Sequence, residues 1–303
     1  MSEHEIKKGS LEAYVLGARP KTLLIAVAPV MVGVATAVAM VGASSVRWAA
    51  GIAALLGAVW ITIGTNFAND VFDYEKGADT AERLGPTRVT QAGLLTPSQV
   101  RAAMAGSFAI ATLCGVYLLM VAGWPVLAIG IVSIMAGIAY TGGPYPLGYN
   151  GLGELFVFVF FGLVAVCGTV FVSTGTVGAL SWLMAVPSGA LASCVLLVNN
   201  VRDVETDTVA GKRTLAVRFG RAFGVKLYGL ALVLAYGAPA LAVALGMARW
   251  PAAVLPLLSA PLAVRLAKKV NDERGESLNA RLGQTAALLL LHSVLLSLAL
   301  VAR

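Results

Sequence analysis

Charge is scarce in this sequence. Only 12% of its 303 residues are Asp, Glu, Lys or Arg, and from Ala102 to Val201 there is no lysine or arginine at all. An ordinary soluble domain is about 25% charged, with that charge spread over its surface, so a water-soluble globule of this length is excluded. Cysteine is also scarce. Cys114, Cys167 and Cys194 lie in apolar stretches without metal-type spacing and read as small core residues. Histidine chemistry has little to work with, because His4 sits in a polar tail and His292 in an apolar final run. The start, Met1 to Ser10, lacks the basic, apolar and small-residue order of a cleaved signal peptide. The first hydrophobic run is therefore expected to be a retained helix.

What the sequence does contain is long apolar runs, at 58% hydrophobic overall. A membrane-spanning helix needs about 20 mostly apolar residues. Nine such runs are expected, near 22–42, 48–68, 98–121, 124–141, 153–174, 181–201, 222–246, 250–268 and 282–302. The expected architecture is an all-α integral membrane protein, one polytopic domain over 1–303, with 1–21 as a cytoplasmic N-terminal segment.

Lysine and arginine concentrate in cytoplasmic loops, which orients the bundle. With nine helices and the N-terminus inside, only Arg47, Arg249 and Arg303 fall outside, and every acidic residue falls inside. The net charge of +7 then belongs to one membrane face, suited to anionic lipid headgroups or to an anionic substrate. No nucleic acid is expected as a partner.

Two inner loops, 69–97 and 199–221, dominate that face. Asn69 and Asp73 recur as Asn199 and Asp203, each pair where an apolar helix runs out into charge. The recurrence predicts two related halves of four helices each plus a ninth helix. Residues four apart share a helix face, so Asn69 and Asp73 project together, as do Asn199, Asp203 and Asp207. Oxygen donors without His or Cys suit a hard cation, which points to Mg²⁺. Facing acidic ladders repel one another, and two magnesium ions bridging to a diphosphate would resolve that repulsion. Lys76, Arg83 and Arg88 after the first box, and Lys212 and Arg213 after the second, are natural partners for phosphate oxygens.

These residues resemble the UbiA-type intramembrane prenyltransferases, whose hallmark is two Asp-rich motifs at the cytoplasmic ends of the second and sixth of nine helices. The resemblance covers essentially the whole chain. The stretches from Ala18 to Thr22, Asn69 to Thr80, Gly85 to Arg88, Tyr140 to Tyr149 and Gly211 to Gly220 are similar to the 1,4-dihydroxy-2-naphthoate polyprenyltransferase branch of menaquinone synthesis. One departure stands out. The superfamily pattern Asn-x-x-x-Asp-x-x-x-Asp is complete in the second box, whereas the first has Gly77 at its third position and Asp79 two residues later. Either Asp70 or Asp79 would then be the third ligand.

The resemblance implies a multi-pass protein of the cytoplasmic membrane with its active site towards the cytoplasm. A polyprenyl diphosphate would lie with its tail among the helices and its head at the boxes, and magnesium and the basic residues would stabilise the leaving diphosphate. A ring carbon of 1,4-dihydroxy-2-naphthoate would attack the allylic cation, with loss of carbon dioxide, to form demethylmenaquinol. Asp73, Asp203 and Asp207 are the expected catalytic acids. Tyr140, Tyr145 and Tyr149 are candidates for a cation-stabilising wall, or alternatively an interfacial belt. Arg19 and Asn66 are candidates for acceptor contacts, and Glu154 is expected to favour a helix N-terminus. Another acceptor (4-hydroxybenzoate, homogentisate or haem) is the alternative within the superfamily. Outside it, a secondary transporter would place its ionisable residues near the midplane. A phosphotransferase acting on nucleotide-activated alcohols would need an Asp-Gly-x-x-Ala-Arg run that this sequence lacks.

Overall fold

The computed structural model describes residues 6–78 and 84–302, and within them all regular secondary structure is helical, with no strand. A short helix α1 (Leu11–Ala18) leads into α2 (Leu24–Val41), α3 (Trp48–Glu75), α4 (Pro97–Ala122) and α5 (Trp124–Ala139). A second series follows: α6 (Gly153–Thr174), α7 (Ala179–Arg202), the one-turn α8 (Val204–Val209), α9 (Leu215–Phe219) and α10 (Arg221–Ala244). The chain ends with α11 (Ala260–Asp272) and α12 (Leu278–Val301).

Among the described residues, seven helices are long and apolar enough to cross a membrane: α2, α3, α4, α6, α7, α10 and α12. Two of the expected runs differ. The run near 124–141 forms α5, only 16 residues long. The run near 250–268 is broken into a turn of α-helix at Pro251–Val254, a 3₁₀ stretch at Leu255–Ser259 and then α11. Pro251, Pro256 and Pro261 lack the N–H that an uninterrupted helix needs there.

Helix length sets the depth of the acidic boxes. At 1.5 Å per residue the ~30 Å hydrocarbon layer takes ~20 residues. Counted from Trp48, α3 has 28 residues and so carries its last two turns, including Asn69 and Asp73, beyond that layer. Counted from Ala179, the same allowance in α7 ends at Val198, one residue before Asn199. Helix α3 then stops at Gly77, whose backbone lies at φ +66° and whose N–H bonds Tyr74 O. A left-handed residue there favours glycine. The position that would carry a third acid is thus the helix terminator.

Helix α7 is the centre of the bundle, packed against α2, α6, α10 and α12. Ser188, Gly189, Ala190, Ala192 and Ser193 are all buried along it, and small residues let membrane helices approach closely. The closest approach is to α6, which is wound as a π-helix over Val159–Cys167. A Cβ on Gly162 would lie 2.8 Å from Gly189 Cα, and one on Gly189 would lie 2.7 Å from Phe158 O.

Candidate active site

The ends of α3 and α7 open on one cavity of about 1010 Å³. Asn69 and Asp73 of the first box line it, together with Asn199, Asp203 and Asp207 of the second. The three-rung ladder of the second box survives a break in the helix. Asp203 N bonds Asn199 O at 2.9 Å and Asp207 N bonds Asp203 O at 2.7 Å, so the α-helical spacing continues from α7 into α8.

Each of the three box acids on the cavity wall, Asp73, Asp203 and Asp207, is matched by a cation of the same chain. Arg88 Nη2 lies 2.8 Å from Asp73. Arg202 forks onto Asp203 through Nε at 2.7 Å and Nη2 at 2.6 Å. Lys212 stands 3.6 Å from Asp207. Burial pushes the Asp207 carboxyl up to about 6; Lys212 opposes that rise and the charge on Asp203 adds to it.

Tyr149 links the two boxes. Its hydroxyl donates to Asp73, and the ammonium groups of Lys76 and Lys212 lie 5.2 and 4.8 Å from its ring centroid. The loop that carries it is clamped by the second basic loop, through Arg213 N to Tyr149 O at 2.6 Å and Arg218 Nη2 to Asn150 O at 2.9 Å. Lys76 is drawn onto the carbonyls of Thr141 (2.6 Å) and Gly143 (3.2 Å). Burial shifts its ammonium below the usual lysine value, with Asp73 opposing.

Away from the boxes the cavity is mostly apolar, with a few hydroxyls such as Thr112, Ser133 and Thr169 on its wall. Ile25, Ile61, Leu118, Val126, Phe160 and Val164 are among its lining residues. It reaches Leu118 and Val126, which flank the α4–α5 turn at the end of the bundle opposite the boxes. Among the described residues every charged side chain on its wall lies at the box end.

A family model described as the UbiA prenyltransferase family matches residues 26–294. This chain belongs to the UbiA prenyltransferase family. It is 43% identical over 267 residues to the 1,4-dihydroxy-2-naphthoate octaprenyltransferase of Mycobacterium tuberculosis, covering 88% of each chain. It is 36% identical over 294 residues to the protein of that name in Haemophilus influenzae, covering 93% of this chain and 94% of the other. Among solved structures it is similar to a UbiA homologue from Archaeoglobus fulgidus bound to DMAPP and Mg²⁺, with TM-score 0.67 and 15% identity, covering 94% of this chain and 99% of that one.

Within this UbiA-family fold the expected site residues separate. Asp70, one position past Asn69, is turned about 100° around the helix and does not line the cavity. It is 1% exposed. Its two oxygens accept from Val89 N at 3.0 Å and Thr90 N at 2.9 Å, with Arg19 Nη2 at 3.9 Å. Asp70 therefore anchors the loop that presents Arg88. Removing it strands two buried amides, so Asp70→Ala is expected to cost about 2–4 kcal/mol. A thermal unfolding midpoint in detergent equal to wild type would contradict this role.

Asp79 and Arg83 lie outside the described residues. Arg213 has an exposed side chain and Tyr145 is 60% exposed, and neither lines the cavity. Arg19, Asn66, Tyr140, Tyr149, Arg88 and Lys212 do line it. Asn66 Nδ2 is already engaged with Ala18 O at 2.9 Å, tying α3 to the turn before α2.

Several partners were not legible from spacing. Thr141 donates to Asn69 Oδ1 at 2.9 Å. Arg202 Nη1 donates to Asn279 at 2.6 Å, and Asn279 donates in turn to Leu84 O at 2.7 Å, joining the start of α12 to both box loops. Glu154 does sit in the first turn of α6, but it is buried and accepts from Asn200 at 2.9 Å, so it is an interhelix contact as well as a helix-end charge. The donor set fits magnesium. Every donor is oxygen, and among the described residues no three acidic, His or Cys side chains converge into a self-sufficient cage. Mg²⁺ characteristically completes its shell with substrate phosphate and water.

Proposed function

We propose that this chain transfers a polyprenyl group from polyprenyl diphosphate to 1,4-dihydroxy-2-naphthoate, releasing diphosphate and carbon dioxide. The observation that carries this reading is the polarity of the cavity: one charged end with both boxes, then a mostly apolar channel to the opposite end of the bundle. Such a shape suits an isoprenoid with an anionic head. It disfavours a carrier, which needs ionisable groups at mid-depth. The naphthoate acceptor is supported by relatives that bear that name at 43% and 36% identity.

Asn69 and Asp73 would hold one magnesium ion and Asn199, Asp203 and Asp207 a second, and the bound ions would supply positive charge against the leaving diphosphate. The chain's own cations then have a defined task. Arg88, Arg202 and Lys212 neutralise the acids before substrate arrives and lie close enough to turn onto phosphate oxygens afterwards. Ionisation of the allylic C–O bond leaves a delocalised cation just inside the boxes. Tyr140 is the aromatic assigned to its wall, because the Tyr149 ring already serves Lys76 and Lys212. Attack by the ring carbon that bears the acceptor's carboxyl forms the new C–C bond. The carboxyl C–C electron pair returns to the ring as carbon dioxide leaves. Arg19, on the cavity wall beside α2, is the group assigned to the acceptor carboxylate.

The proposed topology is nine crossings with a cytoplasmic N-terminus, the short α5 and the broken segment ending in α11 completing two four-helix halves before α12. The proposed location is the cytoplasmic membrane, and the concentration of basic residues at the box end supports boxes that face the cytoplasm.

The test is a panel of acceptors offered with one labelled polyprenyl diphosphate to the purified protein in vesicles. The expected result is prenylation of 1,4-dihydroxy-2-naphthoate with one carbon dioxide released per product. Preferential prenylation of 4-hydroxybenzoate or homogentisate would replace the acceptor assignment, and no prenyl transfer to any member would overturn the enzyme reading.

A further inference from the structure

A second, smaller groove of about 280 Å³ lies between α11 and α12, lined by Leu262, Arg265, Lys269, Arg281, Gln284 and Ala287. None of these residues lines the large cavity. Three cations surround it, with one carboxylate among them. Glu273 is shared by Lys269 at 3.4 Å and Arg281 at 2.7 and 3.0 Å, while Arg281 Nη1 also holds Gln284 Oε1 at 2.8 Å. The Arg281 guanidinium is thus fixed in place, and Arg265 makes no hydrogen bond or ion pair among the described residues. Two positive charges remain unmatched within one small groove.

The height and orientation of the groove identify the anion that fits. Arg281 is two residues beyond Asn279, whose side chain reaches Arg202 and Leu84, so the groove starts at the level of the acidic boxes. It runs along α12 as far as Ala287, and the surface in line with it is apolar: Leu258, four residues before Leu262, is 71% exposed and Leu291, four residues after Ala287, is 41% exposed. Helix α11 turns Ala263, Leu266 and Val270 to the core and leaves Arg265, Lys268 and Lys269 on its rim. A basic rim at headgroup height above an apolar, outward-facing wall matches a phosphate carrying two acyl chains. We infer that this groove holds the headgroup phosphate of one anionic phospholipid, with the acyl chains lying along α11 and α12.

The purified full chain in mild detergent is titrated with dioleoyl phosphatidylglycerol, with dioleoyl phosphatidylcholine and with sodium phosphate, and bound lipid is counted by native mass spectrometry. One phosphatidylglycerol is expected to be retained well above the phosphatidylcholine level and not to be displaced by sodium phosphate at equal concentration. In Arg265→Gln/Lys269→Gln its affinity is expected to fall about 30-fold, the value of two basic charges at a lipid surface. Lys7→Gln/Lys8→Gln removes the same charge from an exposed segment that Gly9 N ties to Leu94 O near the same face, and should leave retention unchanged. Equal retention of both lipids, equal loss in the two double variants, or displacement by free phosphate would overturn the site.

Discussion

Asp73→Asn and Asp203→Asn are each expected to lower kcat/KM for prenyl transfer by about 10³-fold or more, with the protein still inserted and folded. The carboxamide is chosen because it keeps the shape and one acceptor oxygen, for Tyr149 at position 73 and for Arg202 Nε at position 203, while removing the charge and the second acceptor that Arg88 or Arg202 Nη2 uses. Loss of one preorganised electrostatic partner at a site of developing charge typically costs 10²–10³ in rate. Each box is assigned its own ion, so the two boxes should not substitute for one another. The measurement is steady-state transfer with saturating Mg²⁺, alongside size-exclusion elution to show that the variant is intact. A fall of tenfold or less in both variants would sink the two-box mechanism. In the same assay chelation should abolish turnover and added Mg²⁺ should restore it. Failure of Mg²⁺ to restore the wild-type rate would overturn the assignment of the oxygen donors to that ion.

Gly189→Leu is expected to have the largest effect on stability, at about 3 kcal/mol or more. A Cβ at this position would meet Phe158 O at 2.7 Å, Phe158 Cδ2 at 3.0 Å and Gly162 Cα at 3.1 Å. Two of those three contacts are backbone, so rotating a side chain cannot relieve them. The α6–α7 contact would have to open. Because α7 carries the second box and packs on four other helices, the strain should also reach the site, lowering activity along with the thermal unfolding midpoint in detergent. An unfolding midpoint within about 2 °C of wild type would show that the contact is looser than the backbone geometry requires. Gly115, whose Cβ would meet nothing within 4 Å, is the matched control and should tolerate alanine.

The sequence by itself determined the class of protein, the places where the apolar runs end and the pairing of the two boxes. Each of those signals is local. Apolar runs report the bilayer because every residue in them must avoid water, and a four-residue spacing reports a shared helix face wherever the helix continues. That is why Asn199, Asp203 and Asp207 could be grouped before any fold was known. The separation of Asp70 from Asn69 and Asp73 was also within reach, since one residue of helix turns a side chain by about 100°. What the helical phase did not reveal is that Asp70 would find two amides to hold, on Val89 and Thr90.

Only the tertiary structure decided the partners. Thr141 reaches Asn69 across 72 positions, Asn200 reaches Glu154 across 46, and Asn279 reaches Leu84 across 195. No periodicity connects residues so far apart, because helix packing rather than helix rise brings them together. The same holds for Arg213 and Tyr145, whose types suited the site but whose backbones turn them outward. The break in the run near 250–268 is different: Pro251, Pro256 and Pro261 are local signals, and the hydropathy of the run registered only its apolar content. Charge, period and run length are properties of the chain, whereas which cation meets which acid is a property of the packed bundle.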